Sequence, residues 1–169
     1  ASDKSALGMQ LAQQFDCEII CADSRTVYQG MDIGTAKPSK ADREAIPHHL
    51  LDVITPDQKF TVADFKQQAT EAIIDISSRG KLPIMVGGTG LYVDSILFDY
   101  QFAAADAERD KQNPRHLKKT DQTNQAQSMR SHTFVLGLQP PRDELEQRVK
   151  DRVDTMVAEG FIKEVERLA

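Results

Sequence analysis

The sequence has few of the residues that mark disulfide-stapled or zinc-binding proteins. It contains no tryptophan and only two cysteines, Cys17 and Cys21. These two thiols flank a predicted strand four residues apart, a spacing that suits neither a zinc pair nor a disulfide. We therefore predict a structural role for both cysteines and a reducing, cytoplasmic location for the protein.

Long apolar runs and an excess of basic residues are also missing. No run approaches the roughly 18 apolar residues that a membrane span needs, and no signal peptide is recognised at the start, so we predict no membrane partner. The net charge is −5, which gives the chain no general attraction to nucleic acid, although a local basic surface remains compatible with it.

What is present is the pattern of a single α/β domain of 169 residues. Short apolar runs alternate with helical periodicity, which favours a parallel sheet with helices on both faces. The predicted strands are 18–21, 48–54, 82–86 and 133–138. The predicted helices are 5–15, one from the cap Thr61 to the stop at Gly80, one ending near residue 97, 143–158, and a last piece after Gly160.

One stretch interrupts this alternation. From Tyr100 to Ser131 the chain is polar and lacks periodicity, and a structureless stretch of that length is unusual inside a compact domain. It is either a disordered excursion or a place where segments of the sequence are missing. We accordingly divide the chain into an α/β core, 1–100 and 133–169, and a separate region, 101–132.

The loop from Ala22 to Pro38, ADSRTVYQGMDIGTAKP, carries an acid, two hydroxyls, two glycines and a lysine after a buried strand. Loops in this position hold the chemistry of many α/β enzymes, because the strand fixes the position while the loop carries polar groups. A solvated connection is the alternative interpretation.

The start of the chain, Ala1 to Ser5, resembles the end of a phosphate-binding loop, G-x-x-x-x-G-K-[ST]. Lys4 and Ser5 match the last two positions, where the lysine supplies a charge to a polyphosphate and the hydroxyl can bind Mg²⁺. Asp3 stands where the second glycine belongs, which adds a like charge and removes backbone freedom. By itself this match is weak, and a chance match is the alternative.

Taken in order, six segments resemble the tRNA dimethylallyltransferases: ASDKSAL, ADSRTVYQGMDIGTAKP, PHHLLDV, FTVADF, GKLPIMVGGTGLY and PPRDELEQRV. The resemblance covers Ala1 to about Tyr100 and about Thr133 to Ala169, and its most specific run is DSxxxYxGMDIGTAKP. It implies a P-loop NTPase-like, doubly wound parallel sheet with a helical insertion that is largely missing here. Region 101–132 is then the remnant of the tRNA-binding insertion, and NPRHLKK, 113–119, resembles its closing stretch. A C-terminal portion of the family is also absent.

The resemblance implies transfer of the dimethylallyl group from dimethylallyl diphosphate to the exocyclic amine of the adenosine 3′-adjacent to the anticodon. Diphosphate leaves with Mg²⁺ as the cofactor. The implied partners are the anticodon stem-loop of tRNA and dimethylallyl diphosphate, and we expect a monomer.

Residue roles follow from the resemblance alone. Asp23 takes the proton of the target amine, and Thr89 hydrogen-bonds the bridging oxygen of the diphosphate. The diphosphate is held by Ala1, Ser2, Asp3, Lys4, Ser5 and Arg142, with Ser5 also on Mg²⁺. The tRNA is contacted by Asp23, Ser24, Arg25, Thr26, Arg115, His116 and Lys119.

Less specific interpretations stand beside these roles. Asp23 is otherwise a turn carboxylate, Thr89 a helix N-cap and Arg142 a surface residue. Many members of the family have glutamine where Thr26 stands. His48 and His49 receive no catalytic role, since adjacent histidines at a strand start are more often structural.

Two other functions share the phosphate-binding site. A P-loop kinase for a small molecule or nucleotide predicts ATP binding and ATP-dependent phosphorylation. A non-catalytic binding protein, with its P-loop spoiled by Asp3, predicts that Asp3→Gly restores diphosphate binding.

Overall fold

A computed structural model of the protein describes residues 3–102 and 129–168. Three strands and six helices follow one another in these ranges. The strands are β1, Cys17–Ala22, β2, His48–His49, and β3, Leu82–Gly87. The helices are α1, Lys4–Phe15, α2, Lys40–Ala45, α3, Val62–Ser78, α4, Gly90–Leu97, α5, Arg142–Glu159, and α6, Phe161–Leu168.

The strands form a parallel sheet in the order β2–β1–β3. Every residue of the central strand β1 is buried. Its register with β3 runs from Cys17 beside Leu82 to Ala22 beside Gly87, so the two strands end together. The loop after β1 and the turn after β3 therefore leave the sheet at the same edge, where parallel α/β sheets place their ligands.

Helices cover both faces of this sheet, which confirms the predicted doubly wound α/β class. Successive side chains of a strand point to opposite faces. One face of β1 packs with α3 and α4 in a cluster that includes Ile20, Ala22, Phe65, Ile76 and Tyr92. The other face packs with α1 in a cluster that includes Ala12, Cys17, Ile19 and Cys21.

Helix α3 is the best-specified element on the first face. Thr61 and Asp64 form a reciprocal capping box at its start, which satisfies two backbone donors that the helix leaves open. Phe65 stacks on Tyr92 of α4 with ring centroids 4.1 Å apart. The predicted helix from Thr61 to Gly80 is thus confirmed, and its packing fixes α4 just after the turn that ends β3.

The predicted strand 48–54 is shorter than expected. Only His48 and His49 pair with β1, through Ile19 and Ile20. Leu50 and Asp52 have φ angles of 62° and 55°, and this left-handed backbone ends the extended ladder. The sequence pattern also missed α2, whose N-terminus is a capping box between Ser39 and Asp42.

The predicted strand 133–138 is wrong for the described part of the chain. This segment is not part of a strand, and Phe134 is 85% exposed. A strand needs a neighbouring ladder to satisfy its backbone groups, and no described strand runs beside this segment. The apolar residues of this segment predicted a strand, but they carry no information about whether a neighbouring strand is present.

The C-terminal helices agree with the sequence pattern. Helix α5 extends the predicted range 143–158 by one residue at each end, and Gly160, at φ 104°, separates it from α6. Acidic side chains of α5 such as Glu144 and Asp151 are exposed, as expected for a solvated face.

Some predicted site residues lie outside the described residues: Ala1, Ser2, Arg115, His116 and Lys119. Their roles, like the assignment of region 101–132, stay predictions.

Candidate functional site

The loop after β1 and the turn after β3 are joined directly at the sheet edge. The amide of Ser24 donates to Thr89 Oγ1 at 3.0 Å, and the amide of Thr89 donates to the carbonyl of Ala22 at 3.2 Å. Gly87 permits this approach, because a Cβ on it would lie 2.0 Å from the Ala22 carbonyl oxygen. The two segments predicted to carry catalytic residues are therefore neighbours in space.

Thr89 occupies the N-cap position of α4, yet its hydroxyl makes no capping hydrogen bond. It accepts from Ser24 and approaches the Ser24 hydroxyl at 3.4 Å instead. The hydroxyl is thus turned to the loop from Ala22 to Pro38 rather than to its own helix, which weakens the helix-cap interpretation.

Asp23 begins that loop and forms an Asx turn. Its Oδ1 accepts from the amide of Arg25 at 2.8 Å. Asp23 is therefore a turn carboxylate, as the alternative interpretation predicted. The turn uses only one carboxylate oxygen, so the second oxygen can accept a hydrogen bond from a substrate.

The remaining residues of the predicted tRNA contact differ in exposure. Arg25 is exposed, whereas Thr26 is only 6% exposed and donates its hydroxyl to the carbonyl of Asp23 at 3.3 Å. Thr26 therefore stabilises the turn through this hydrogen bond. Of the two residues, only Arg25 has its side chain at the surface.

The phosphate-loop remnant is placed beside the same edge. Lys4 is the first residue of α1, and its Nζ lies 3.8 Å from where a Cβ on Gly88 would stand. Lys4 and Ser5 are both exposed and line a cavity of about 1090 Å³ that Asp23 and Gly88 also line. A charge and a hydroxyl from the start of α1 and a carboxylate from the loop after β1 therefore share one opening.

Asp3 shows why a glycine fits the pattern at this position. Its φ is 55° and its ψ 20°, in the left-handed region that glycine adopts without penalty. Its carboxylate forms an ion pair with Arg148 of α5, at a separation of 145 positions along the chain. The sequence indicated the unfavourable charge of Asp3 but not the cation that partly offsets it.

Arg142 is not brought into this cavity in the described structure. Its side chain is 92% exposed and pairs with Glu146 one turn along α5. Arg152, on the same helix, does line the cavity. The diphosphate role of Arg142 stays a prediction, and Arg152 is a cation that sequence reasoning did not single out.

The sequence pattern assigned no role to Lys37, the lysine at the end of the loop from Ala22 to Pro38. Its side chain is 1% exposed, and its ammonium contacts Asp32 at 2.9 Å and Asp52 at 2.6 Å. Burial alone would raise the pKa of Asp52, but hydrogen bonds from Lys37 and Arg43 lower it below its ordinary value. The lysine thereby connects the end of the loop from Ala22 to Pro38 with the segment that follows β2.

The cysteines and histidines behave as structural residues. Both thiols are free and buried, and burial raises the pKa of Cys21 to about 12, so it stays protonated at neutral pH. His49 Nε2 lies 2.8 Å from Glu18 Oε2, and burial lowers the pKa of His48. Neither pair has the character of a nucleophile or of a metal site.

Across residues 3–102 and 129–168, no helix has the length and apolar character needed to cross a bilayer. Within the same ranges, no three histidine, cysteine, aspartate or glutamate side chains gather as a set of metal ligands.

With this geometry in view, comparison with known families gives one clear match. The model of a family described as IPP transferase matches residues 26–129 and 111–169. Among curated proteins, a tRNA dimethylallyltransferase of Oceanobacillus iheyensis is 36% identical over 214 aligned positions, covering 99% of this chain and 68% of that protein. The alignment is longer than the chain, so the relative carries internal residues that this chain lacks.

Solved structures agree with the sequence comparison. A tRNA delta(2)-isopentenylpyrophosphate transferase from Staphylococcus epidermidis superposes with a TM-score of 0.79 at 32% identity, covering 99% of this chain and 70% of that one. A eukaryotic dimethylallyltransferase acting on tRNA gives a TM-score of 0.81 at 27% identity, covering 99% and 53%.

Proposed function

This chain belongs to the IPP transferase family, and from that premise we propose that it transfers a dimethylallyl group from dimethylallyl diphosphate to tRNA. The observation that carries the proposal is the hydrogen bond between Ser24 and Thr89, whose chain neighbours Asp23 and Gly88 line the same cavity as Lys4. This junction brings together the segments that we propose to bind the anion and to accept the proton. The named activities of the relatives supply the substrates.

We propose that the accepting atom is the exocyclic amine of the adenosine beside the anticodon. Nitrogen forms a bond to the allylic carbon while the carbon–oxygen bond to diphosphate breaks, and the amine loses one proton. Asp23 takes that proton as the general base. Base assistance of this kind is worth about 10²–10⁴-fold in rate.

Thr89 is suited to stabilise the leaving group. Because its oxygen accepts from the Ser24 amide, its hydroxyl hydrogen is available to the bridging oxygen of the diphosphate, in place of the long 3.4 Å approach to Ser24 Oγ. A donor positioned where negative charge develops contributes about 10²–10³-fold. Lys4 supplies a positive charge to the same anion.

We propose that Mg²⁺ binds here through both the protein and the substrate, not through protein ligands alone. The Ser5 hydroxyl and the Asp23 carboxylate line the same cavity, and Mg²⁺ binds through few protein oxygens together with substrate phosphates and water. Ser5 would hold it, and when bound it would neutralise the departing diphosphate.

The tRNA surface is proposed to be the anticodon stem-loop, contacted by the exposed Arg25 and by residues near 115–119. An adenine in a loop leaves its stack at a cost of a few kcal/mol, which is lowest for single-stranded bases. We also propose that the protein acts as a monomer in the cytoplasm.

The test is transfer of label from dimethylallyl diphosphate to tRNA that lacks the modification, followed by nucleoside analysis of the product. Label in the exocyclic amine of that adenosine supports the proposal. Saturable ATP binding with ATP-dependent phosphorylation of a small molecule, and no prenyl transfer, would instead support the kinase alternative. Diphosphate binding only after Asp3→Gly, without transfer, would support a binding protein.

A further inference from the structure

Glu164 of α6 is a buried carboxylate that the proposed reaction does not use. It is 7% exposed. Its Oε2 accepts from the amides of Asp32 and Ile33 at 2.7 and 2.8 Å, and its Oε1 accepts from the amide of Gly34 at 2.9 Å. Three successive amides aimed at one anion form a backbone nest, and here the anion is supplied by the protein itself.

The charge of this carboxylate is retained at neutral pH. Burial by itself would raise the pKa of Glu164, but the amide hydrogen bonds of Gly34, Ile33 and Asp32 lower the pKa below its ordinary value. A charged acceptor makes each of these hydrogen bonds stronger than a neutral one.

Neighbouring contacts hold α6 on the same loop. Arg167 Nη2 donates to the carbonyl of Gly30 at 2.8 Å. Phe161 lies so close that a Cβ on Gly34 would stand 2.6 Å from its ring. Residues 30–34 are thus held by the three hydrogen bonds to Glu164, by a fourth from Arg167 and by the close approach of Phe161, all from one short helix.

This loop is a wall of the cavity that Asp23 and Lys4 line. Gly30, Asp32 and Ile33 are part of that lining. The lining also includes Arg152 and Met156 of α5, which is joined to α6 through Gly160. The nest contact therefore joins the helical pair α5–α6 to the loop that lines the cavity with it.

We propose that Glu164 is a positioning residue for the acceptor substrate: it fixes the backbone of residues 32–34 as the wall against which the tRNA nucleotide docks. This inference rests on the proposed function, since it names how that site holds its acceptor. When such a wall is displaced, fewer of the docked nucleotides reach the productive position, so we expect a higher tRNA concentration to be needed for the same rate.

The test compares Glu164→Ala and Glu164→Gln with Glu166→Ala, an exposed glutamate on the same helix. Hydrogen–deuterium exchange of the Asp32, Ile33 and Gly34 amides should be at least about 10-fold faster in Glu164→Ala and unchanged in Glu166→Ala. Glu164→Gln should fall between them, because one amide oxygen replaces two carboxylate oxygens.

Steady-state kinetics distinguish a positioning role from a merely structural one, because a structural defect would weaken the binding of both substrates. We expect the KM for tRNA to rise about 10-fold in Glu164→Ala, while the affinity for dimethylallyl diphosphate, measured by calorimetry, stays within about twofold of the control. Unchanged amide exchange would overturn the anchoring. Faster exchange with an unchanged KM for tRNA would overturn the positioning role, as would an equal loss of donor and tRNA binding.

If Glu164→Ala does not fold, the same readings on Glu164→Gln decide the matter. Absence of prenyl transfer in the unsubstituted protein is a failure of the proposed function, and it would remove the acceptor role of Glu164 with it. The exchange measurement is independent of catalysis, so it still distinguishes a failed anchor from a failed function.

Discussion

The amide of Ser24 donates to the hydroxyl of Thr89 across 65 positions of the chain, at 3.0 Å. This single bond joins the loop that carries the proposed base to the turn that carries the proposed leaving-group donor. It also orients the Thr89 hydroxyl, because an oxygen that accepts from Ser24 keeps its own hydrogen for another acceptor.

Removing the Thr89 hydroxyl should slow transfer without unfolding the protein. We expect Thr89→Ala to lower kcat about 10²–10³-fold, since the bridging oxygen then lacks its donor, and Thr89→Ser to retain most of the activity. The measurement is label transfer to tRNA. Thr55→Ala, at an exposed loop position, is the control, and equal activity of Thr89→Ala and this control would contradict the assignment.

The substitution Asp23→Asn separates the structural role of this side chain in the turn from its proposed role as the general base. The amide oxygen of asparagine can still accept from the Arg25 amide, but it cannot take a proton from the target amine. We therefore expect a fall of about 10²–10⁴-fold in single-turnover rate with little change in thermal stability. Asp57→Asn, at an exposed position, should behave as the unsubstituted protein. Normal turnover in Asp23→Ala would end the base assignment.

Asp3→Gly should tighten binding of inorganic diphosphate. The substitution removes a like charge, and repulsion between unit charges about 4 Å apart in water is about 1 kcal/mol, or roughly fivefold in affinity. It also removes the Asp3 partner of Arg148, which keeps its contact with Glu144 at 3.6 Å. Calorimetry with diphosphate and Mg²⁺ gives the affinity.

The control for Asp3→Gly is Asp16→Gly. Asp16 has φ 48° at the other end of α1, so both substitutions relieve a left-handed backbone, but Asp16 is not part of the cavity lining. A gain in affinity in both variants would attribute the effect to the backbone of α1 rather than to the charge of Asp3. Weaker binding in Asp3→Gly would show that the Asp3 carboxylate assists the site.

Acid should weaken the fold through Glu18, at the sheet edge opposite the cavity. Hydrogen bonds from Arg79 come first among the contacts that hold the pKa of Glu18 well below its ordinary value of 4.5, against the opposing effect of burial. A lowered pKa in the folded state contributes stability above pH 4.5 that is lost as the pH falls through and below that value.

Urea denaturation at pH 7, 5 and 3 measures this contribution. The free energy of unfolding of the unsubstituted protein should fall between pH 5 and pH 3, and Glu18→Gln should be less stable at pH 7 with a flatter dependence on pH. Glu71→Gln, at an exposed position on α3, should follow the unsubstituted protein. Parallel curves for Glu18→Gln and the control would refute the linkage.

Much of the α/β core was predictable because its signals are local. The apolar run of β1, the cap at Thr61 and the stop at Gly160 each act over a few residues, and the structure confirms them. The segment 133–138 has the same local signal, yet it is not a strand among the described residues. A strand is completed by its neighbour, and a single segment carries no information about whether that neighbour is beside it.

The site divides in the same way. The sequence alone determined the parallel α/β class and the family resemblance. From these it predicted the chemistry on the loop from Ala22 to Pro38 and roles for Asp23, Lys4 and Thr89. Only the tertiary structure decided that Thr89 faces Ser24, that Arg148 pairs with Asp3 and that Glu164 fills the nest of residues 32–34. These contacts join residues 65 to 145 positions apart, and such distances are closed by packing of helices on the sheet rather than by any local pattern.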